Sequence, residues 1–205
     1  VPKHSQYGES LRKFRGEEYR RWDPTRSKLG AGLSRSRQSQ YDLLPNEGDT
    51  CLYLGAGHGT SISHLHDQVC GANNEKEGRI IAVDLSPRCL RDLVHLSTLR
   101  PGLVPVLGDA RKHAAWGIVV SKKVDWLLQD VSQAGQTEIF IKAVKRFLKP
   151  GGKGLLSLKA ASERFNEGGE KEVFRKVREQ LEDAGLNIEE QIDLHGLEDN
   201  HCLYF

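Results

Sequence analysis

Beyond residue 49, short apolar runs rich in β-branched residues alternate with longer amphipathic stretches. The apolar runs predict seven strands, at residues 50–56, 79–85, 103–109, 124–131, 153–160, 188–194 and 201–205. The amphipathic stretches predict helices at residues 60–70, 87–99, 133–148 and 167–184, with glycine or proline close to their ends. Strands that alternate with helices are typical of βαβ units, so we expect one α/β domain with a mostly parallel sheet over residues 35–205.

The last two predicted strands are joined by only six residues, HGLEDN. A parallel crossover needs about a dozen residues or more, so this short connection predicts a final strand that runs antiparallel to the one before it. Such a strand begins at the edge of the sheet where the parallel strands end.

The first 34 residues follow a different pattern. FRGEEYRRW, residues 14–22, is typical of a β-hairpin, and DPTRSKLGAGL, residues 23–33, predicts the start of a helix. Asp23 suits the N-cap of that helix, and Pro24 suits its first position. We expect residues 1–34 to be the remnant of a small N-terminal β module with a linker helix, packed on the main domain because its own core is too small.

Composition excludes several classes of protein. Hydrophobic residues make up 38% of the chain, and no apolar run approaches the roughly 18 residues that a membrane span requires. The first residues carry neither the apolar core of a signal peptide nor the bias of a transit peptide, so nothing predicts export. The four cysteines contain no CxxC pair, which argues against a zinc site or a disulfide framework.

Positive charge is concentrated at the front of the chain. The net charge is +2 overall, but residues 1–40 hold ten Lys and Arg against four Asp and Glu, a net charge of +6. Such a segment suits a surface that faces nucleic-acid phosphates. A solvated charged segment is the alternative, and charge alone does not separate the two.

A glycine-rich turn follows the first predicted strand. Gly55, Gly57 and Gly59 lie in GAGHGT, directly before a predicted helix. Glycines allow a tight turn and a close approach of a cofactor, while the amides at a helix start offer hydrogen-bond donors. Asp84 ends the second strand, where its carboxylate can accept both hydroxyls of a ribose, and Asp109 ends the third. These features favour an adenosine cofactor but leave an NAD site open.

Three ionisable residues should meet at the carboxyl edge of the sheet, where ligands of open α/β sheets bind. Asp130 ends the fourth predicted strand, Lys159 ends the fifth, and His201 begins the antiparallel seventh. Any one of them alone is typical of a solvated rim residue. Their convergence beside a cofactor turn favours a catalytic site.

Seven motifs along the chain resemble the fibrillarin family in order and spacing. They are WDPTRSKL at 22–29, GAGHGTS at 55–61, LSPRCLRDL at 85–93, PVLGDA at 105–110, DVSQAGQT at 130–137, LKA around Lys159, and EDNHC at 198–202. The resemblance implies a class I, Rossmann-like methyltransferase fold with a seven-stranded, mostly parallel sheet. It also implies S-adenosylmethionine as cofactor, no metal, and methyl transfer to the ribose 2'-hydroxyl of RNA.

The resemblance assigns site residues by motif. It implies a catalytic tetrad of Lys28, Asp130, Lys159 and His201, with Lys159 acting as the base or as a stabiliser of the alkoxide. The cofactor contacts that it implies, beside the three glycines, are Thr60, Ser61, Asp84, Leu85, Asp109, Ala110, Asp130, Val131 and Gln133.

Four positions depart from the family pattern. Asp84 stands where Glu is usual, His58 where a small residue is usual, Ser132 where Ala is usual, and Asn200 where Asp is usual. Asn200 removes a charge that could orient His201, so it bears most directly on the tetrad.

The resemblance further implies a box C/D guide RNA, a Nop-domain scaffold protein and a kink-turn-binding ribosomal protein as partners, with rRNA and tRNA as the classes of target. The lack of a Gly/Arg-rich tract in the sequence indicates the archaeal form, acting in the cytoplasm and not at a membrane. Two other functions stay open at this point. One is a class I methyltransferase that acts on a protein or a small molecule, and the other is an inactive structural subunit of an RNA–protein particle.

Overall fold

A computed structural model describes residues 5–163 and 169–205 of the chain. Nine strands are formed in this described part: β1 Leu11–Phe14, β2 Glu17–Arg20, β3 Thr50–Leu54, β4 Arg79–Asp84, β5 Leu103–Leu107, β6 Val124–Gln129, β7 Leu148–Lys159, β8 Gln191–Asp193 and β9 His201–Tyr204. The α-helices are α1 Lys28–Arg35, α2 Gln40–Leu43, α3 Thr60–Val69, α4 Pro87–Leu99, α5 His113–Trp116, α6 Gln136–Phe147 and α7 Gly169–Asp183.

The main sheet has seven strands in the order β5-β4-β3-β6-β7-β9-β8. Strands β3 to β7 pair in parallel, and β9 runs antiparallel to both of its neighbours, β7 and β8. The predicted α/β class, the number of strands in the sheet and the antiparallel final strand are therefore confirmed. The antiparallel direction of β9 brings His201 to the edge of the sheet where β7 ends.

Two hydrophobic clusters cover the two faces of this sheet. Along β3, Leu52 and Leu54 belong to one cluster, while Cys51 and Tyr53 belong to the other. All four side chains are buried, because alternate residues of a strand point to opposite faces and helices pack on both sides. Rigid packing on both faces fixes the strand ends, from which the candidate site is built.

Several predicted boundaries shift at glycine and at short polar segments. The helix predicted at 133–148 begins only at Gln136, because Gly135 adopts a left-handed conformation with φ of 72° at its N-cap. The strand predicted at 188–194 is limited to Gln191–Asp193. Residues 167 and 168 of the last predicted helix lie outside the described residues, and the helix covers Gly169–Asp183 within them.

The N-terminal segment forms the predicted hairpin, β1 with β2, but the single helix predicted from residue 23 is wrong. Asp23 does cap a turn, accepting a hydrogen bond from Thr25 N at 2.9 Å, yet that turn is a 3₁₀ helix of three residues, Pro24–Arg26. Ser27 then adopts an extended backbone and its hydroxyl accepts from Gly30 N at 3.1 Å. A second N-cap residue so soon after the first starts a new helix, α1, at Lys28.

The described part of the N-terminal segment packs against α3. Arg20 forms ion pairs with Glu9 at 2.5 Å and with Asp67 at 2.7 Å. The ring of Trp22 stacks on the ring of His64, with centroids 4.9 Å apart. These contacts agree with a segment that depends on the main domain for its stability. Residues 1–4 of the predicted N-terminal module lie outside the described part. Within the described ranges, no helix has the length and apolar character needed to cross a membrane.

We predict that His64 makes the stability of the fold decrease in mild acid. Burial and the nearby Arg20 lower the pKa of His64 from 6.5 to about 4. Between these two values the unfolded chain binds a proton that the folded chain refuses, so the free energy of unfolding should fall as pH decreases from about 6.5 towards 4.

Chemical denaturation at a series of pH values measures this slope. His64→Phe keeps an aromatic ring against Trp22 and should flatten the slope, whereas His95→Phe, at an exposed position on α4, should leave it as it is. An equally steep slope in His64→Phe would assign the acid sensitivity to other groups.

Candidate functional site

The glycine-rich loop between β3 and α3 passes very close to the end of β6. Gly55 has a positive φ of 82°, and a Cβ atom placed there would lie 2.1 Å from the backbone oxygen of Asp130. Gly59 also has a positive φ, 92°, directly before Thr60 begins α3. At Gly57, by contrast, a Cβ atom would meet nothing within 4 Å among the described residues. The loop is therefore fixed at both ends and open in its middle.

Asp84 is held in place at the end of β4 by backbone amides. Its Oδ2 accepts from Gly57 N and its Oδ1 accepts from Ser86 N, both at 2.8 Å. A carboxylate offers about four acceptor positions, so positions remain for the two hydroxyls of a ribose. Leu85, the next residue, leaves 55% of its surface exposed and offers an apolar surface for a flat ring.

Asp109 and Gln133 come together from the segments that follow β5 and β6. Gln133 Nε2 donates to Asp109 Oδ1 at 3.0 Å, and Arg111 pairs with the other oxygen at 2.8 Å. The Arg111 hydrogen bonds hold the pKa of Asp109 well below its usual range, so this carboxylate stays charged. Ala110 is buried beside it.

The Gln133 side chain leaves one acceptor without a partner. Its Oε1 is buried and receives no hydrogen bond from the described residues. A buried polar atom without a partner is costly, so this oxygen suits a ligand that carries a donor such as an amino group. Val131 begins the segment that leads to Gln133 and lies half-buried, between the Gly55 loop and α6.

Lys28 and Asp130 form an ion pair with a shortest distance of 3.1 Å. Lys28 is the first residue of α1, and Asp130 directly follows β6, where its amide donates to Leu54 O at 2.8 Å. About a quarter of the Lys28 side chain and a fifth of the Asp130 side chain are exposed, 25% and 20%. The pair is thus reachable from solvent at the carboxyl edge of the sheet.

Lys159 and His201 are direct neighbours across β7 and β9. The side chain of Lys159 is exposed, and within residues 5–163 and 169–205 no carboxylate forms an ion pair with it. The imidazole of His201 is oriented by the backbone oxygen of Asp199, 2.8 Å from Nδ1. This contact leaves Nε2 as the ring nitrogen for a further partner. Asn200 adopts a left-handed conformation, with φ of 62°, which asparagine tolerates well.

The structure therefore brings all four predicted tetrad residues to one edge, as two pairs. Lys28 with Asp130 forms the first pair, and Lys159 with His201 forms the second. Asn200 does not leave His201 without an orienting group, because the backbone carbonyl of Asp199 performs that task. Ser61, in the first turn of α3, contacts Ser27 Oγ at 2.7 Å and so connects α3 to the start of α1.

Two residues with a positioning role escaped the sequence prediction. Ser27 caps the helix that carries Lys28, and only its type and place before an apolar stretch signal this role. Gln136 is fully buried, accepts from Lys159 N at 2.9 Å, and donates to Val131 O. It joins the end of β7 to the segment that follows β6. Nothing in the motif DVSQAGQT separates Gln136 from a cap or a surface residue.

The donors and acceptors of this edge fit an adenosine cofactor with a charged side group. The loop is open at Gly57, the carboxylate of Asp84 has acceptor positions left, and Gln133 presents an acceptor without a partner. At the same edge of the sheet, the side chains of Lys159 and His201 can contact a second substrate. In the described part of the chain, no group of three or more His, Cys, Asp or Glu side chains could hold a metal ion.

The whole chain, residues 1–205, matches the family model described as Fibrillarin. It is 41% identical over 204 residues to the fibrillarin-like rRNA/tRNA 2'-O-methyltransferase of Thermococcus gammatolerans, which covers 100% of this chain and 85% of that protein. The fold is similar to Aeropyrum pernix fibrillarin in complex with natively bound S-adenosyl-L-methionine, with a TM-score of 0.82 and 34% identity over 100% of this chain and 84% of the other. It is also similar to a chain of a fibrillarin/Nop5p complex, with a TM-score of 0.76 and 32% identity over 94% and 85%.

We predict that Gln136→Leu lowers both the stability and the order of the site. Leucine has a similar volume but leaves Lys159 N and Val131 O without their partner, so the free energy of unfolding should fall by about 2 kcal/mol or more. Chemical denaturation measures the loss. Gln180→Leu, at a half-buried position on α7, is the matched control and should change stability by less than half as much. Equal effects of the two substitutions would contradict the positioning role of Gln136.

Proposed function

The chain belongs to the fibrillarin family, and we propose that it transfers a methyl group from S-adenosylmethionine to the 2'-hydroxyl of ribose in RNA. The observation that carries this proposal is the convergence of the Lys28–Asp130 ion pair with Lys159 and its cross-strand neighbour His201, beside the open glycine-rich loop. The relative from Thermococcus gammatolerans bears the name of this activity, and its match covers the full length of this chain.

We assign the cofactor to the groups that the structure gathers around the loop. Asp84 accepts from the ribose hydroxyls, Leu85 covers one face of the adenine, and Asp109 with Gln133 binds the adenine edge. Gly55, Gly57 and Gly59 let the loop approach, while Thr60, Ser61, Ala110 and Val131 complete the wall. When bound, S-adenosylmethionine supplies a methyl group on a positively charged sulfur, which makes that carbon electrophilic.

The task of the catalytic residues is to make the 2'-hydroxyl a better nucleophile. Lys159 is exposed at the end of β7 and carries no competing ion pair within the described residues, so its Nζ is available to the hydroxyl. It accepts the proton as a base or stabilises the developing alkoxide as a cation. Lys28 offsets the charge of Asp130 through their ion pair, so this carboxylate already has a partner other than Lys159.

His201 lies across the strand pair from Lys159 and assists in holding the ribose. Its Nδ1 faces the backbone oxygen of Asp199, so Nε2 is the nitrogen directed to the substrate. Because the hydroxyl is a poor nucleophile, its orientation towards the methyl group contributes to the rate in addition to proton transfer.

We further propose that a box C/D guide RNA chooses the target nucleotide, with a Nop-domain scaffold and a kink-turn-binding ribosomal protein completing the particle. The likeness to a chain of a fibrillarin/Nop5p complex supports the scaffold, and the charge of +6 on residues 1–40 is too modest for tight RNA binding alone. Residues 1–34 form the N-terminal module in this proposal, residues 35–205 the catalytic domain, and rRNA and tRNA in the archaeal cytoplasm are the targets.

Reconstitution tests the proposed reaction. The chain is combined with the scaffold, the kink-turn protein and a guide RNA, and methyl transfer is measured to a matched RNA whose target nucleotide carries either ribose or 2'-deoxyribose. Transfer should require the ribose and the guide, and the isolated chain should methylate RNA poorly. Transfer that persists on the deoxy substrate would contradict the ribose assignment, and efficient sequence-specific transfer by the isolated chain would contradict the guide.

Substitution of Lys159 separates chemistry from cofactor binding. Lys159→Ala should lower the single-turnover rate by about 100-fold or more while cofactor affinity stays within a few fold, because Lys159 lies beyond the cofactor loop. Lys159→Arg keeps the positive charge but cannot lose its proton, so near-complete loss indicates a base and partial retention indicates a stabilising cation. Lys171→Ala, at an exposed position on α7, is the control. An unchanged rate in both Lys159 variants would remove Lys159 from the catalytic site.

A further inference from the structure

A second group of reactive side chains lies on the outer side of the glycine-rich loop. His58 Nδ1 is 2.7 Å from Asp92 Oδ2, and His58 Nε2 is 3.7 Å from Cys89 Sγ. The three side chains thus form a continuous chain of hydrogen bonds from a thiol through an imidazole to a carboxylate. This is the arrangement by which a base, oriented by a third group, activates a nucleophile.

Two different elements bring these side chains together. His58 stands in the loop between Gly57 and Gly59, while Cys89 and Asp92 lie three residues apart on α4 and therefore share one face of it. Cys89 belongs to the first turn of α4, where its amide donates to Ser86 Oγ at 3.4 Å. A helix start and a neighbouring imidazole are both surroundings in which a thiolate is stabilised.

The carboxylate fixes the tautomer of the imidazole. Hydrogen bonds from His58 and Arg91 lower the pKa of Asp92, so this group stays an anion and accepts the Nδ1 proton. His58 Nε2 then turns its lone pair towards the thiol of Cys89. The His58 side chain is 60% exposed, so a small molecule can reach the pair from solvent.

We propose that Cys89, His58 and Asp92 form a thiol-exchange site that takes small disulfides as substrates. His58 Nε2 accepts the proton of Cys89, and the thiolate attacks one sulfur of the disulfide. A Cys89–sulfur bond forms as the disulfide bond breaks, and the departing thiolate takes the proton from His58. Atoms and electrons balance without a further oxidant, because the disulfide itself is the oxidant.

The other cysteines provide an internal contrast. The three other thiols are buried, those of Cys51, Cys70 and Cys202. Burial raises the pKa of the Cys51 thiol well above its usual value. It also raises the pKa of Cys70 to about 11 and the pKa of Cys202 to about 12. A buried thiol with a raised pKa is a poor nucleophile. Rapid exchange in the native protein should therefore occur at Cys89 alone.

An adduct on Cys89 should weaken cofactor binding, a consequence that rests on the proposed function. His58 follows Gly57 in the loop, and the Gly57 amide donates to Asp84. The backbone oxygen of His58 accepts a hydrogen bond from the Tyr7 hydroxyl at 2.7 Å. A group attached to Cys89 displaces the imidazole and with it the middle of the loop.

The rate of reaction with dithiobis(nitrobenzoate) tests the site without any cofactor. The native chain should show one fast thiol, absent in Cys89→Ser, and His58→Ala should slow it about tenfold or more. Asp92→Asn preserves the size of the side chain and leaves His58 beside Cys89, so it tests the site without exposing the thiol. Its rate should lie between those of the native chain and His58→Ala. His95→Ala, at an exposed position on the same helix, should match the native chain. A fast phase that survives Cys89→Ser, or a rate unchanged by Asp92→Asn, would overturn the proposal.

Calorimetry with S-adenosylmethionine then tests the coupling. The chain carrying a glutathione adduct on Cys89 should bind the cofactor about tenfold more weakly than the reduced chain, and dithiothreitol should restore the affinity. Cys89→Ser, treated in the same way, should show no change. Equal affinity of the two forms would contradict the coupling, whereas a reduced chain that fails to bind the cofactor would contradict the proposed function and leave the exchange rates standing.

Discussion

The contact between the glycine-rich loop and the end of β6 is the constraint on which the candidate site depends. No side chain fits at Gly55, since its Cβ would lie 2.1 Å from the backbone oxygen of Asp130, and the amide of Asp130 donates to Leu54 at 2.8 Å. The glycine-rich loop and Asp130 are therefore fixed against each other by backbone atoms. Backbone contacts alone set the distance between the glycine-rich loop and the end of β6, whichever rotamers the side chains adopt.

Charge is distributed unevenly across the two pairs of the candidate site. Lys28 balances Asp130, while Lys159 pairs with no carboxylate in the described part of the chain. The first pair is structural as well as electrostatic, because the start of α1 is fixed by the Ser27–Ser61 hydroxyl contact at 2.7 Å. Lys28 is thus held in position by its contacts, whereas the side chain of Lys159 is available to a substrate.

The sequence predicts what depends on local pattern and chain order. Apolar runs predict the strands around Asp84, Asp130 and Lys159, and a connection of six residues predicts the position of His201. The features that were missed depend on contacts between distant residues. Gln136 is a buried connector only because β7 ends opposite it, and His58 meets Asp92 only because α4 begins beside the loop. The break at Ser27 was missed because two N-cap residues compete within five positions, and pattern alone does not choose between them.

Strand β9 links the candidate site to both hydrophobic clusters of the sheet. This strand follows all the other strands in the sequence, yet it inserts between β7 and β8 and carries His201. Its residues alternate between the two hydrophobic clusters, with Cys202 and Tyr204 in one and Leu203 in the other. A substitution that loosens β9 would therefore weaken the packing on both faces of the sheet and displace the imidazole of His201 at the same time, so the position of this side chain is coupled to the stability of the whole sheet.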